Sequence, residues 1–115
     1  MASASEYSGV ADARARRKAD TEAVFAYHQE QLRLLQEHVR EGFGRLDGGE
    51  IDSFDLDHVI YRYTRAAKEL WKFCGNGGSR IEWAAAAIES RRQSGTEPDW
   101  WEIGDPDRRR RVPHA

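Results

Sequence analysis

The sequence predicts an all-α fold, a three-helix antiparallel assembly made of a long helical hairpin plus a third, Ala-rich helix. Three observations predict it. Between Leu56 and Cys74, the residues Leu56, Val59, Ile60, Tyr63, Ala66, Ala67, Leu70, Phe73 and Cys74 share one broad arc of a helical wheel, with Arg62, Arg65, Lys68, Glu69 and Lys72 on the opposite arc. Between Val24 and Leu46, Phe25, His28, Leu32, Leu35, Val39, Gly42 and Leu46 recur at alternating steps of three and four, a heptad-like seam. Glycine-rich breaks at Asp47-Gly48-Gly49 and Gly75-Asn76-Gly77-Gly78 separate these stretches into helix-sized pieces.

In chain order, residues 1–20 read as a flexible or partly helical leader. Met1 to Gly9 is mostly Ala and Ser, with Glu6, Tyr7 and Gly9, and should fray. Ala11 to Asp20 holds good helix formers with Arg14, Arg16, Arg17 and Lys18 but no large apolar residue, so it is helical only as an extension of the helix on its C-terminal side. Residues 21–104 form the helical domain. Its first helix carries the seam, widened by Phe43, with Glu30, Glu37 and Glu41 on the far side. At about 1.5 Å per residue, Val24 to Leu46 spans about 35 Å and Phe54 to Cys74 about 31 Å, so the two match as hairpin partners. The short acidic connection from Asp47 to Ser53 favours antiparallel neighbours.

The second helix has Ser53 or Asp55 as its cap, Asp57 near the positive end of the dipole, and Gly75 in a left-handed closing position. Ser79 with Glu82 three residues later makes a capping box for the third helix. That helix has Ile81, Ala84, Ala85 and Ile88 on one face and Trp83 nearly opposite, and it should end by Gly95. Thr96-Glu97-Pro98-Asp99 resembles another cap, before a single turn of Trp100-Trp101-Glu102-Ile103 and Gly104. Residues 105–115, with two prolines and four successive arginines, read as a basic disordered tail.

Composition narrows the function classes. Hydrophobic residues make up 39% and charged residues 33% of 115, enough for helix seams but little for a deep interior, so self-association into a homodimeric four-helix-type bundle is expected. A net charge of −2 gives no whole-chain argument for nucleic acid or an acidic membrane. The charge is uneven: Thr21 to His58 carries nine acidic and three basic residues, whereas Val59 to Gly95 carries seven basic and three acidic. A single cysteine on the apolar arc, no secretory leader pattern and no apolar run near the ~18 residues of a membrane span predict a cytoplasmic protein that no membrane holds.

Catalytic and metal signals are thin. Setting Gly49, Ile51, Asp52 and Asp55 in EF-hand register leaves Gly44, Leu46 and Gly48 where the first ligands belong. Asp55 three before His58 is the nearest approach to a di-metal pair, and His28 has no second ligand at helical spacing. Cys74 falls at a helix carboxyl end, where the dipole disfavours thiolate. The Gly75 to Gly78 loop lacks the Lys-Ser or Lys-Thr ending of a phosphate loop. The expectation is a protein that is not an enzyme and holds no metal or cofactor.

Two residue sets point to binding. Tyr61 among Arg62, Arg65, Lys68 and Lys72 forms a basic arc able to meet phosphates, joined by the clusters at Arg14 to Lys18 and Arg108 to Arg111. Fifteen Arg against three Lys, with much Ala and Gly, also fits a GC-rich coding sequence that fills exposed positions with arginine. Four indoles, Trp71, Trp83, Trp100 and Trp101, are hard to hide in so polar a chain and suit a protein partner, unless the Trp100-Trp101 turn folds back over Trp83. The leading expectation is a small protein-interaction module, an adaptor, regulator or antitoxin-like partner. The alternative is a nucleic-acid-associated regulator using the basic arc.

Overall fold

The structure, a computed structural model, describes residues 4–75 and 80–108 and is all-α: α1 (Ala4–Asp47), α2 (Ser53–Cys74), α3 (Ile81–Ser94) and the single turn α4 (Trp100–Ile103), with no strand among the described residues. α1 packs against α2 and α3, and α4 lies mainly on α2.

α1 is one helix of 44 residues, about 66 Å at 1.5 Å per residue, and it accounts for most of the 74 Å long axis of the molecule. It starts at Ala4, inside the stretch whose composition suggests fraying. From Gly9 to Ala19 every residue is exposed, so this quarter of the helix buries no side chain, and good helix formers carry it outward from the packed portion. The helix stops where the glycines predict. Gly49 at φ 75° and Glu50 turn their N–H groups back onto the Leu46 and Arg45 carbonyls at 3.0 and 2.9 Å, satisfying two acceptors at the helix end.

The amino end of α2 differs from expectation by one residue, because Asp52 rather than Ser53 or Asp55 is the cap. Asp52 is extended, its carboxylate accepts the Asp55 N–H at 2.9 Å, and the Asp55 carboxylate accepts the Asp52 N–H at 3.1 Å. A carboxylate serves in both places of this reciprocal box, so the acidic connection is a helix start and not an ion loop. Gly75 at φ 74° closes the other end by donating to the Lys72 carbonyl.

The α2 arc buries Leu56, Ala66, Leu70 and Cys74 and half-buries Val59, Tyr63, Ala67 and Phe73, while Ile60 stays exposed. On α1 the buried positions are Val24, Tyr27, Leu35 and Gly42, whereas Phe25, expected in the seam, is 70% exposed. The reason is that α1 serves two neighbours. Successive side chains point about 100° apart; Val24 and Tyr27 turn into the core, where Tyr27 meets Phe73 of α2 and Trp100 of α4, so Phe25 points away from it. Gly42 permits close approach to α2: a Cβ there would lie 3.3 Å from both Leu56 and Val59.

α3 buries Ile81, Ala84 and Ile88 and leaves Trp83 half exposed, as its wheel predicts. The proposed Ser79 cap and the loop through Gly78 lie outside the described residues, as does the tail beyond Arg108; the described start is Arg80, which has no side-chain cap bond. Thr96, expected to open α4, instead closes α3: its N–H donates to the Arg91 carbonyl at 3.0 Å, and its hydroxyl lies 2.7 Å from that of Ser94. Asp99 caps α4, accepting from the Trp101 and Glu102 N–H groups at 3.0 and 3.4 Å. An aspartate immediately before the turn presents its carboxylate to the first free donors, whereas Thr96 is too far upstream.

Phe73 is the hub of the core where all four helices meet. Its ring centroid lies 5.9 Å from Tyr27, 5.3 Å from Trp100 and 5.6 Å from Trp83, and the Arg91 guanidinium sits 4.8 Å above it. Tilted and edge contacts of this kind add about 0.5–1.5 kcal/mol per pair beyond area burial.

Candidate functional site

Two members of the basic arc of α2, Arg62 and Arg65, bond to the C-terminal turn, while Tyr61, Lys68 and Lys72 stay exposed. Ala66 is fully buried because Gly104 lies directly on it, and a Cβ on Gly104 would fall 2.5 Å from the Ala66 Cβ. Arg62 and Arg65 straddle that contact. Arg62 donates from Nε to the Trp101 carbonyl at 3.0 Å and from Nη2 to Glu102 at 3.1 Å, and its Nη1 lies 3.9 Å from buried Asp105. Arg65 donates from Nε to the Gly104 carbonyl at 3.2 Å. Backbone N–H groups take the Trp100 and Glu102 carbonyls of this short helix, and the two guanidinium groups take those of Trp101 and Gly104 from outside.

Of the remaining arc, Lys72 pairs with Glu69 at 3.3 Å, and Tyr61 is exposed with Arg65 5.8 Å from its ring. Lys68 borders an open recess of about 740 Å³ together with Tyr61, Arg65 and Arg108. Glu69 and Asp105 line the same recess, so its charge is mixed. Arg62 and Arg65 thus fasten a C-terminal turn to α2. Arg62→Gln is accordingly expected to lower the thermal midpoint, by loosening α4, and to do so at high salt as well, since a partly buried charged donor to a carbonyl contributes about 1.5–3 kcal/mol. An unchanged midpoint in thermal unfolding followed by circular dichroism would refute that role.

The four indoles separate. Trp100 is a core residue, 6% exposed, whose Nε1–H donates to the Tyr27 hydroxyl at 2.8 Å. Trp101 is half-buried, stacked on His38 at 4.2 Å and 1° and lying under the Arg62 guanidinium at 4.5 Å. The turn does fold back onto the body, but onto Phe73 and Tyr27 and not over Trp83. Trp83 keeps half its surface, with Arg80 5.1 Å from its ring, and Trp71 is 48% exposed. The first pair is structural, and the second pair is available.

Trp71 belongs to a larger feature. α3 and α4 cover one side of the α1–α2 pair, while the other side presents Phe25, Phe43, Ile60 and Trp71 to solvent. Two recesses mark that side. One, of about 250 Å³, lies at the edge of that side where α3 begins, lined by Phe25, His28, Trp71 and Cys74 with Ile81 of α3, and the second, of about 530 Å³, by Val39, Phe43, Ile60 and Tyr63 with Gln36 and Arg40. Half-buried Leu32 and Ala67 lie between them in both helices. Helical spacing places Phe25, Phe43 and Ile60 on apolar faces, and the sequence offers Trp71 as a partner-binding candidate. The usable signal was the width of the α1 stripe, which with Phe43 and Val24 exceeds what one neighbour can cover.

Burial shifts two of the candidate reactive groups. Burial pushes the Cys74 thiol up to about 11, so it stays protonated near neutral pH, and burial pulls His28 below the ordinary histidine range. No cluster of three His, Cys, Asp or Glu side chains suited to a metal ion occurs among the described residues, and no described helix is long and apolar enough to cross a membrane. Comparison with protein-family models, with curated proteins and with solved structures returns no match for this chain.

Proposed function

We propose that the chain is a small non-catalytic protein-interaction module of the cytoplasm, an adaptor, regulator or antitoxin-like partner, that docks protein through the open side of an antiparallel α1–α2 hairpin. The observation that carries this reading is the exposed apolar side itself. Phe25, Phe43, Ile60 and Trp71 lie along both helices over their shared length, and contiguous apolar surface of this kind marks interaction sites. The antiparallel sense is supported by the pairing of Tyr27 with Phe73 at one end and of Gly42 with Leu56 and Val59 at the other. The nucleic-acid alternative has less support, because Arg62 and Arg65 are engaged by the carbonyls of Trp101 and Gly104.

The test is affinity capture with the full chain in native lysate, with and without nuclease, beside a Phe43→Glu, Trp71→Glu variant. Nuclease-resistant recovery of the same protein by wild type, lost in the variant, is the expected result. Recovery that nuclease abolishes, or that the variant retains, would sink the reading.

A further inference from the structure

We infer that the open α1–α2 side is covered by a second copy of this chain, related by a two-fold axis running along the two helices, which completes a four-helix bundle. The inference rests on the proposed docking side and names its occupant. Size is the first argument. Over the 22 residues of α2 the shared face is about 33 Å long at 1.5 Å per residue and about 20 Å wide for two helices of ~10 Å diameter. Two such faces hide roughly 1,300 Å² in total, within the ~1,200–2,000 Å² of a specific interface.

Self-complementarity is the second argument. A patch that meets its own copy must carry both signs of charge or neither, whereas a patch built for an acidic or basic partner carries one. This rim is neutral or mixed: Gln36 and Thr64 are uncharged, Arg40 borders the larger recess from α1, and Asp57 lies on α2 three residues before Ile60. Both charged side chains are exposed, and Arg40 makes a 3.6 Å ion pair with Glu37 on its own helix.

The axis follows from these positions. With the two-fold along the helices, α1 of each copy lies over α2 of the other with like ends together. Phe43 then meets the second copy's Ile60, Phe25 meets its Trp71, and Arg40 comes to its Asp57. The ring edges interleave across the two recesses, and the charge pair fixes the direction in which one copy lies on the other. Exposed pairs contribute only about 0–1 kcal/mol, so Arg40 and Asp57 report the arrangement while the apolar contacts hold it.

The experiment is sedimentation velocity and light scattering on the full chain from micromolar to millimolar concentration. The expected species is a dimer of twice 13.2 kDa. Phe43→Glu and Ile60→Glu should each weaken it at least about tenfold, equivalent to ~1.4 kcal/mol, with helicity retained because both side chains are exposed in the protomer. Arg40→Asp and Asp57→Arg should each weaken it several-fold, and the double reversal should restore it.

A monomer throughout the range overturns the inference, as does a dimer indifferent to Phe43→Glu and Ile60→Glu. A dimer sensitive to those two but not restored by the double reversal overturns the axis. A monomer that nonetheless captures another protein through Phe43 defeats this inference alone. A dimer that captures nothing defeats the module reading alone.

Discussion

Trp100→Ala is expected to lower stability by about 3–5 kcal/mol, the usual range for removing a buried tryptophan side chain, which is a large part of the ~5–15 kcal/mol available to a domain. The indole fills the space between α1 and α2 against Phe73, and its Nε1–H supplies the hydrogen bond to Tyr27. Deleting it leaves a cavity beside Phe73 and a buried hydroxyl without its donor. Cys74 provides an independent readout. Buried and held as a thiol with its pKa near 11, it should label slowly at neutral pH in the native protein and much faster in Trp100→Ala. Trp100→Phe should lie between, keeping ring contact with Phe73 but losing the Tyr27 bond. Trp101→Ala should cost less, because that indole is only half-buried on His38 and Arg62. Equal effects at 100 and 101 in thermal unfolding, or an unchanged labelling rate for Trp100→Ala, would show that the turn does not pack as described.

Gly104→Ala is expected to unseat α4 from α2. A Cβ at that position falls 2.5 Å from the Ala66 Cβ and 2.6 Å from the Ala66 nitrogen. The second distance is to helix backbone, which cannot move aside without breaking α2. The turn must therefore lift, and with it go the carbonyl bonds from Arg62 and Arg65 and the seating of Trp100. Overpacking of this kind costs about 1–3 kcal/mol, and here the cost falls on one segment. Amide exchange should show it directly: protection is lost at Ile103 and Gly104, whose N–H groups bond to Asp99 and Trp100, while the middle of α1 and α2 stays protected. Retained protection at those two amides would mean that α2 accommodates the methyl group.

What the sequence determined by itself was everything that depends on residues a few positions apart. The helical stretches follow from the spacing of apolar residues, and Gly49, Gly75 and Gly95 at φ of 75°, 74° and 68° close α1, α2 and α3 because a left-handed backbone is cheapest at glycine. The sorting of α2 into an apolar arc and a charged arc, and the outward placement of Trp83, were legible for the same reason. Cap identities were legible to within a few residues, since Asp52 and Asp55, or Thr96 and Asp99, compete for the same donors until the backbone angles settle the matter.

The tertiary structure alone decided which surfaces meet. A heptad count cannot tell that α1 turns Val24 and Tyr27 into the core and sends Phe25 outward, because that choice is made by residues far downstream, among them Phe73 and Trp100 against Tyr27. Nor can it tell that Trp100 goes in while Trp101 rests on the surface, or that Arg62 and Arg65 bond to a distant turn. An exposed arginine and one engaged by a carbonyl have the same position on a helical wheel. They differ in what approaches from across the fold, and that approach was permitted here by a glycine at 104 facing an alanine at 66.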